Sequence, residues 1–269
     1  MIKPKIIVLS GYGLNCEEET AFAFELAGGR AEIVHINDLI DGRKKLDDFQ
    51  IMAVPGGFSY GDDTGSGNAY AAKLRNHLWK KIKKFVAKDS LTIGICNGFQ
   101  ILTNLGLLPA FGKKYGDRQV ALIHNNNARY TVRWVDLQIE NQTPWFAGIK
   151  NISLPIAHGE GKLFAKDLVL KRLNKEKLVA ARYEKGEVCQ YQMLPANPNG
   201  SLENIAGITD PTGRVLGLMP HPERAVFFHQ LPHWPLLKEK YLRDGKKLPK
   251  FGPGLKIFQN AISYFTNSK

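Results

Sequence analysis

The first half of the sequence alternates short apolar runs with helical patterns, and this alternation limits the fold more than any other feature. Strand-like runs rich in β-branched residues cover residues 5–9, 31–36, 51–54 and 91–95. Helical patterns follow from Asn15 to the Gly28-Gly29 pair, over 68–84 and over 98–105. Strands alternating with crossover helices predict an α/β fold, with a mostly parallel central sheet flanked by helices on both faces. Ligands then bind beyond the carboxyl ends of the strands.

The second half has a different pattern and predicts additional β-strands. Strand-like runs cover residues 130–139, 152–156, 178–183, 188–192, 205–209 and 215–219. An amphipathic helix is expected over 255–265. Residues 229–254 contain Pro, Trp and Lys with weak periodicity, and we interpret them as an insertion in a single domain that spans residues 1–269.

The positive net charge of the chain could be misread as a sign of nucleic-acid binding. The chain of 269 residues carries 37 basic and 25 acidic side chains, so its net charge is +12, and basic proteins often bind nucleic acid. Here the charge is spread, with its densest runs at 80–84 and 238–250, and no zinc-finger or RNA-recognition spacing accompanies it. We therefore expect no nucleic-acid partner, although a basic nucleic-acid-binding protein remains one alternative.

Composition also bears on the cellular compartment. No stretch of about 18 apolar residues is present, so we expect no membrane span. The apolar run near the amino terminus is shorter than a secretory core, and three cysteines cannot form an even disulfide framework. These features predict a cytoplasmic protein.

The sharpest local motif is Gly94-Ile95-Cys96-Asn97-Gly98, between a predicted strand and a predicted helix. This spacing is typical of a nucleophile elbow, here with cysteine as the nucleophile. The turn is expected to present the thiol to solvent, and the helix N-terminus favours the thiolate. Most cysteines are buried structural residues, but the two flanking glycines favour a nucleophile.

A nucleophilic thiol needs a base, and His221 is the best candidate among the seven histidines. It follows a strand-like run and has a proline on each side, and Glu223 lies two residues further on, where its carboxylate can orient the imidazole. His158, in a glycine-rich turn, is a weaker candidate.

Thiol attack on a carbonyl produces an oxyanion, which needs preorganised donors. The N–H of Asn97 and the backbone at Gly56 and Gly57 could supply them, because both segments follow strands. Phosphate binding is the rival interpretation of the glycine pair, but no P-loop or dinucleotide fingerprint is present. The spacing of His, Cys and Glu residues fits no metal motif, so we expect no metal.

Three motifs together resemble a known family. They are GICNGFQ at 94–100, PGGFSYGD at 55–62 and PHPER at 220–224. The sequence resembles the class I, or triad, glutamine amidotransferases, and more narrowly the glutaminase subunits of phosphoribosylformylglycinamidine synthase. NCE at 15–17, AHGEG at 157–161 and NLGLLP at 104–109 carry the resemblance over most of the chain.

The resemblance implies a flavodoxin-like fold and a role for each motif. Cys96 would attack the side-chain amide of L-glutamine to form a thioester and release ammonia, while His221 moves protons and Glu223 orients it. Gly57 and Asn97 would hold the oxyanion, and Gln100 would lie near the bound glutamine.

The resemblance also implies partners. Ammonia would pass to a large synthetase subunit, which makes phosphoribosylformylglycinamidine in de novo purine biosynthesis and carries the ATP and magnesium. A small third subunit joins some assemblies of this kind, and no cofactor is expected on this chain. The main alternative is a stand-alone cysteine hydrolase on a similar fold that acts on another amide or peptide.

Overall fold

The computed structural model describes residues 3–266 of the chain. The strands are β1 (Lys5–Ser10), β2 (Arg30–His35), β3 (Ile51–Val54), β4 (Leu91–Ile95), β5 (Val120–Ile123), β6 (Thr131–Ile139), β7 (Asn151–His158), β8 (Lys162–Ala165), β9 (Val179–Glu184), β10 (Ile205–Thr209) and β11 (Val215–Leu218). The α-helices are α1 (Glu17–Leu26), α2 (Ile36–Ile40), α3 (Asn68–Ala87), α4 (Asn97–Asn104), α5 (Asp167–Lys175), α6 (Glu187–Gln192), α7 (Trp234–Arg243) and α8 (Leu255–Thr266).

One large sheet organises the molecule, with strand order β2-β1-β3-β4-β11-β10-β9-β6-β7. From β2 to β11 every neighbouring pair is parallel. All residues of β3, β4 and β11 are buried, as expected for parallel strands covered on both faces. This half of the sheet confirms the predicted α/β class.

The helices cover both faces of the sheet because the crossovers on the two sides of β1 run in opposite directions along the sheet. It crosses from β1 to β2 through α1 and, in the opposite direction along the sheet, from β3 to β4 through α3. Right-handed crossovers place these two helices on opposite faces. Helix α1 packs against α8, where the ring centroids of Phe24 and Phe258 are 4.8 Å apart.

The other half of the sheet is antiparallel and supplies the predicted additional strands. Strands β11, β10, β9, β6 and β7 follow one another in antiparallel pairs. Strands β5 and β8, which the sequence pattern did not predict, form a separate antiparallel pair.

One predicted strand is wrong. Residues 188–192 form part of helix α6 rather than a strand. The carboxylate of Asp136 accepts hydrogen bonds from the N–H groups of Val188 and Cys189, at 3.4 and 2.8 Å. These are first-turn N–H groups, which an isolated helix leaves unpaired, so a residue distant in sequence stabilises the helix.

Residues 229–254 contain helix α7, which lies beside α6, because Lys240 Nζ is 3.6 Å from Oε1 of Glu187. The two ends of the segment are adjacent, because Phe227 and Phe251 form a β-bridge and the N–H of Phe228 donates to the carbonyl of Lys250 at 3.3 Å.

Over the described range 3–266, every helix is too short or too polar to cross a bilayer.

Candidate active site

The register of the parallel strands brings three sequence motifs to one edge of the sheet. Val54, the last residue of β3, pairs with Gly94 of β4, and Ile95 of β4 pairs with Leu218 of β11. The segments that follow these strands begin at neighbouring points of the sheet. They contain Cys96, His221 and the glycine pair at 56–57.

Cys96 occupies a sharp turn between β4 and α4. Its φ is 52° and its ψ is −108°, a combination disfavoured for any residue with a Cβ, and its N–H donates to the carbonyl of Leu218 at 2.8 Å. The turn requires glycine at position 98, where an added Cβ would lie 1.8 Å from the carbonyl oxygen of Val54. This is the predicted strand-to-helix elbow.

The Cys96 side chain is less accessible than the sequence predicts. The residue is only 5% exposed, and its Sγ lies 3.7 Å from the carbonyl oxygen of Ala157. The expectation of a solvent-presented thiol is therefore wrong for the isolated chain, because the segment at the end of β7 covers the elbow.

His221 and Glu223 form a buried pair. The Nδ1 of His221 lies 2.5 Å from Oε1 of Glu223, and both side chains are almost fully buried. The N–H of His221 donates to the carbonyl of Pro155 at 2.8 Å, which fixes the backbone of the turn. Within the described part of the chain, Nε2 of His221 is buried and has no hydrogen-bond partner by distance and angle.

The charges around His221 favour its protonated form. Burial opposes the imidazolium, but the Glu223 carboxylate and the sulfur atoms of Cys96 and Cys16 favour it, and together they raise the pKa of His221 well above its ordinary value.

Gly56 lies between the sulfur residues and the imidazole. A Cβ at this position would lie 2.8 Å from Cε1 of His221, 3.1 Å from Sγ of Cys16 and 3.5 Å from Cβ of Cys96. The three side chains therefore surround one Cα atom. A residue larger than glycine would push against His221 and Cys16.

Two backbone donors lie beside the elbow. Asn97 is the first residue of α4, and Gly57 follows Gly56 in a segment held by a 2.8 Å bond from the N–H of Phe58 to the carbonyl of Gly13. In the region 3–266, the N–H groups of Asn97 and Gly57 donate no hydrogen bond. Both predicted oxyanion donors are thus unpaired in this structure.

Side-chain amides tie the surrounding loops to α4. The Asn97 amide donates to Asp62 Oδ1 at 3.1 Å and to Gln100 Oε1 at 2.8 Å, and the Gln100 amide donates to the carbonyl of Glu160 at 2.5 Å. Burial, followed by the nearby Glu160 charge, raises the pKa of Asp62 against the effect of its hydrogen bonds. Gln100 thus connects the elbow helix to the loop after β7.

His158, the weaker candidate, is buried beside this loop. Its Nδ1 lies 3.2 Å from Oδ1 of Asn125. Burial, and then repulsion from His221, lowers the pKa of His158 to about 3. A histidine with this pKa stays neutral and exchanges no proton near neutral pH.

Cys16 and Arg224 belong to the site, although sequence reasoning gave neither of them a role. An Nη2 of Arg224 lies 2.9 Å from Sγ of Cys16 and 3.2 Å from the carboxylate of Glu19. Their only signal in the sequence was membership of the motifs at 15–17 and 220–224.

A cavity of about 340 Å³ borders His221 and Arg224. Its lining includes His221, Arg224, Ala157 and the exposed Val132.

The fold and this site define a class of protein: α/β enzymes in which a cysteine on an elbow can attack a carbonyl carbon. A histidine oriented by a glutamate serves as its base. A family model for the CobB/CobQ-like glutamine amidotransferase domain matches residues 3–265. The chain is 47% identical to the phosphoribosylformylglycinamidine synthase subunit PurQ of Methanococcus maripaludis strain C7, with 98% of this chain and 99% of that protein covered. It is 42% identical to PurQ of Dehalococcoides mccartyi, with 98% of each covered.

A solved structure agrees with these relatives. The chain matches a chain in the structure of PurLQS from Thermotoga maritima with a TM-score of 0.71 and 32% identity, covering 98% of this chain and 100% of that one. The chain belongs to the CobB/CobQ-like glutamine amidotransferase domain family and, within it, to the PurQ family.

Proposed function

We propose that this chain is the glutaminase subunit of a phosphoribosylformylglycinamidine synthase, which hydrolyses glutamine and delivers ammonia to a synthetase subunit. Its similarity to PurQ relatives over nearly the full length supports this function. The observation that carries the chemistry is the His221–Glu223 hydrogen bond, which leaves Nε2 free beside the elbow that holds Cys96. The stand-alone cysteine hydrolase is not favoured, because these relatives are synthase subunits.

The reaction begins at Cys96. Its thiolate attacks the amide carbon of glutamine, and the oxyanion receives hydrogen bonds from the free N–H groups of Asn97 and Gly57. The carbon–nitrogen bond breaks as the imidazolium of His221 gives its Nε2 proton to the leaving nitrogen, which departs as ammonia. A glutamyl thioester remains on Cys96.

Water completes the cycle. It attacks the thioester while the neutral imidazole of His221 takes one of its protons and the second proton goes to solvent. Glutamate leaves, and the thiolate and imidazolium are restored. Glu223 keeps the imidazole in one orientation through both steps, since its carboxylate holds Nδ1.

Glutamine must reach this site past covering segments. The thiol of Cys96 is buried under the end of β7, and Gln100 holds the following loop through the Glu160 carbonyl. We assign Gln100 and Gly56 to the wall of the glutamine site. Displacement of the loop at 157–161 would open the thiol to substrate.

Ammonia use requires other subunits. We propose a large synthetase subunit that binds ATP and magnesium, with a small third subunit in the assembly. Similarity to a chain of the PurLQS structure supports a synthetase partner. We expect the complex to work in the cytoplasm.

The test is a glutaminase assay of the purified chain, alone and with its synthetase. We expect little ammonia from the chain alone, because Cys96 is covered, and a large increase on complex formation. Cys96→Ala should lower the rate in the complex by at least about 10⁴-fold, whereas Cys189→Ala, which removes a buried thiol in α6, should not.

Undiminished hydrolysis by Cys96→Ala would refute the thioester mechanism. Rapid hydrolysis by the lone chain, unaffected by the synthetase, would favour the stand-alone hydrolase.

A further inference from the structure

The end of β7 covers Cys96, and a side chain that the mechanism does not use binds the same segment. The carbonyl oxygen of Ala157, which lies 3.7 Å from Sγ of Cys96, accepts a hydrogen bond from the hydroxyl of Tyr130 at 3.0 Å. Tyr130 directly precedes β6, whose first residue, Thr131, pairs with His158 of β7. The thiol and the tyrosine hydroxyl therefore lie at the same carbonyl group.

The ring of Tyr130 connects this cover to the segment that carries a proposed oxyanion donor. Its centroid lies 5.8 Å from that of Phe58, the residue after Gly57. The same ring lies next to Gly159, where an added Cβ would be 3.8 Å from Cδ2 of Tyr130. Tyr130 thus lies against both loops that border the thiol, the one after β3 and the one after β7.

The hydroxyl of Tyr130 is a donor throughout the neutral pH range. Burial, followed by the charge of the nearby Cys96 sulfur, raises the pKa of Tyr130, so its hydroxyl stays protonated. The residue as a whole is 50% exposed, and Phe58 beside it is 44% exposed. These contacts therefore lie at the surface and can break while the core stays folded.

We propose that Tyr130 is a positioning residue of the glutamine site, which holds the Ala157 carbonyl over the Cys96 thiol and limits access to it in the lone chain. Gln100 holds the far end of the same loop through the Glu160 carbonyl, so loss of the Tyr130 bond frees the end that covers the thiol. The role in glutamine access rests on the proposed function, but the cover over Cys96 can be tested by itself.

The experiment measures alkylation of Cys96 by iodoacetamide in the lone chain, with each thiol followed by peptide mass spectrometry. Tyr130→Phe keeps the ring and removes the hydrogen bond, so we expect Cys96 to react about two- to tenfold faster than in the parent chain. Tyr191→Phe is the matched control, because Tyr191 is 51% exposed and lies in α6, away from the cover. It should leave the Cys96 rate unchanged.

Two further measurements separate this role from a general loss of stability. Cys189 is a buried thiol in α6, and its alkylation rate should not change in Tyr130→Phe. The pH at which Cys96 reaches half its maximal alkylation rate should also stay the same, because the substitution changes access to the thiol and removes no charged group.

An unchanged Cys96 rate in Tyr130→Phe would overturn the proposal. Equal acceleration of Cys96 and Cys189, or an acceleration of Cys96 explained by a shifted pH midpoint, would overturn it as well. None of these outcomes depends on whether glutamine is the substrate.

Discussion

A buried imidazole has two nitrogens, and in His221 they have different tasks. Nδ1 is held by Glu223 at 2.5 Å, so only Nε2 can exchange a proton with a substrate. The same carboxylate helps to raise the pKa of the ring. In the proposed mechanism, Glu223 therefore controls both the orientation and the charge of His221.

Replacement of Glu223 by glutamine should alter the orientation and charge of His221 without unfolding the protein. The amide preserves the shape but removes the charge, so we expect kcat in the synthetase complex to fall by about 10²–10⁴-fold with a smaller change in KM. Glu25→Gln, at an exposed position of α1, is the control. Steady-state ammonia release measures both, and a kcat within twofold of the parent would show that Glu223 does not orient the base.

His158 predicts a pH effect on stability. Its pKa is about 3 in the folded chain and 6.5 ordinarily, so the unfolded state binds a proton first as the pH falls. Stability is therefore lost between about pH 6.5 and pH 3, by up to about 1.4 kcal/mol per pH unit.

His158→Gln should remove this dependence and can keep the hydrogen bond to Asn125. Urea unfolding at about pH 6 and about pH 4.5 should show the parent chain losing about 2 kcal/mol more than the variant. Equal losses would mean that His158 is protonated in the folded state.

At the scale of single residues, sequence patterns could identify those whose proposed role depends on local spacing. Cys96 was predicted from its flanking glycines, and His221 with Glu223 from two positions of one turn. Cys16 could not be found in this way, because its contact with Arg224 joins residues 208 positions apart. Only the strand register brings them together.

Among the elements, the junction of β4 and α4 has the tightest packing constraint at the site. The helix approaches β3 so closely that only hydrogen fits at position 98, because a Cβ there would lie 1.8 Å from the carbonyl oxygen of Val54. Close contact between α4 and the strand ends keeps Cys96 and the glycine pair at fixed separation.

Gly98→Ala should therefore destabilise the fold. We expect a loss of about 3 kcal/mol in the free energy of unfolding, because β3 is paired on both sides and cannot move away without breaking sheet hydrogen bonds. Gly159→Ala is the control, since the nearest atom to its Cβ would be 3.8 Å away. Urea denaturation compares them, and equal stability of the two variants would contradict the packing argument.

Element prediction from sequence succeeded where the pattern and the environment agree. The apolar runs at 51–54, 91–95 and 205–209 are strands with the predicted bounds, because buried strands read as continuous apolar segments. The run at 188–192 also contains apolar residues. It is a helix, however, because Asp136 of strand β6 accepts hydrogen bonds from the first-turn N–H groups. The local sequence of residues 188–192 does not indicate the contact with Asp136.

For the molecule as a whole, α7 and its flanking loops form an exposed surface. Leu236 and Leu242 in α7 are 46% and 53% exposed, amid the lysines of this segment. We keep the interpretation of residues 229–254 as an insertion and propose that it contacts the synthetase.

Deletion of residues 231–250 should weaken the complex by at least about tenfold, which is about 1.4 kcal/mol of binding free energy. A short linker can close the gap, because Phe227 and Phe251, which both remain, form a β-bridge. The double variant Leu236→Glu/Leu242→Glu tests the same surface with the segment intact. Titration against the synthetase measures both, and unchanged affinity in both would place the interface elsewhere.

The backbone angles of Cys96 have a consequence for how such chains can diverge. A conformation at φ 52°, ψ −108° costs about 1–3 kcal/mol for any residue except glycine. In the proposed mechanism the nucleophile must sit in this turn, so the active chain bears that conformational cost. Replacing Cys96 by glycine would relieve the cost and remove the nucleophile, so activity and stability make opposite demands on position 96.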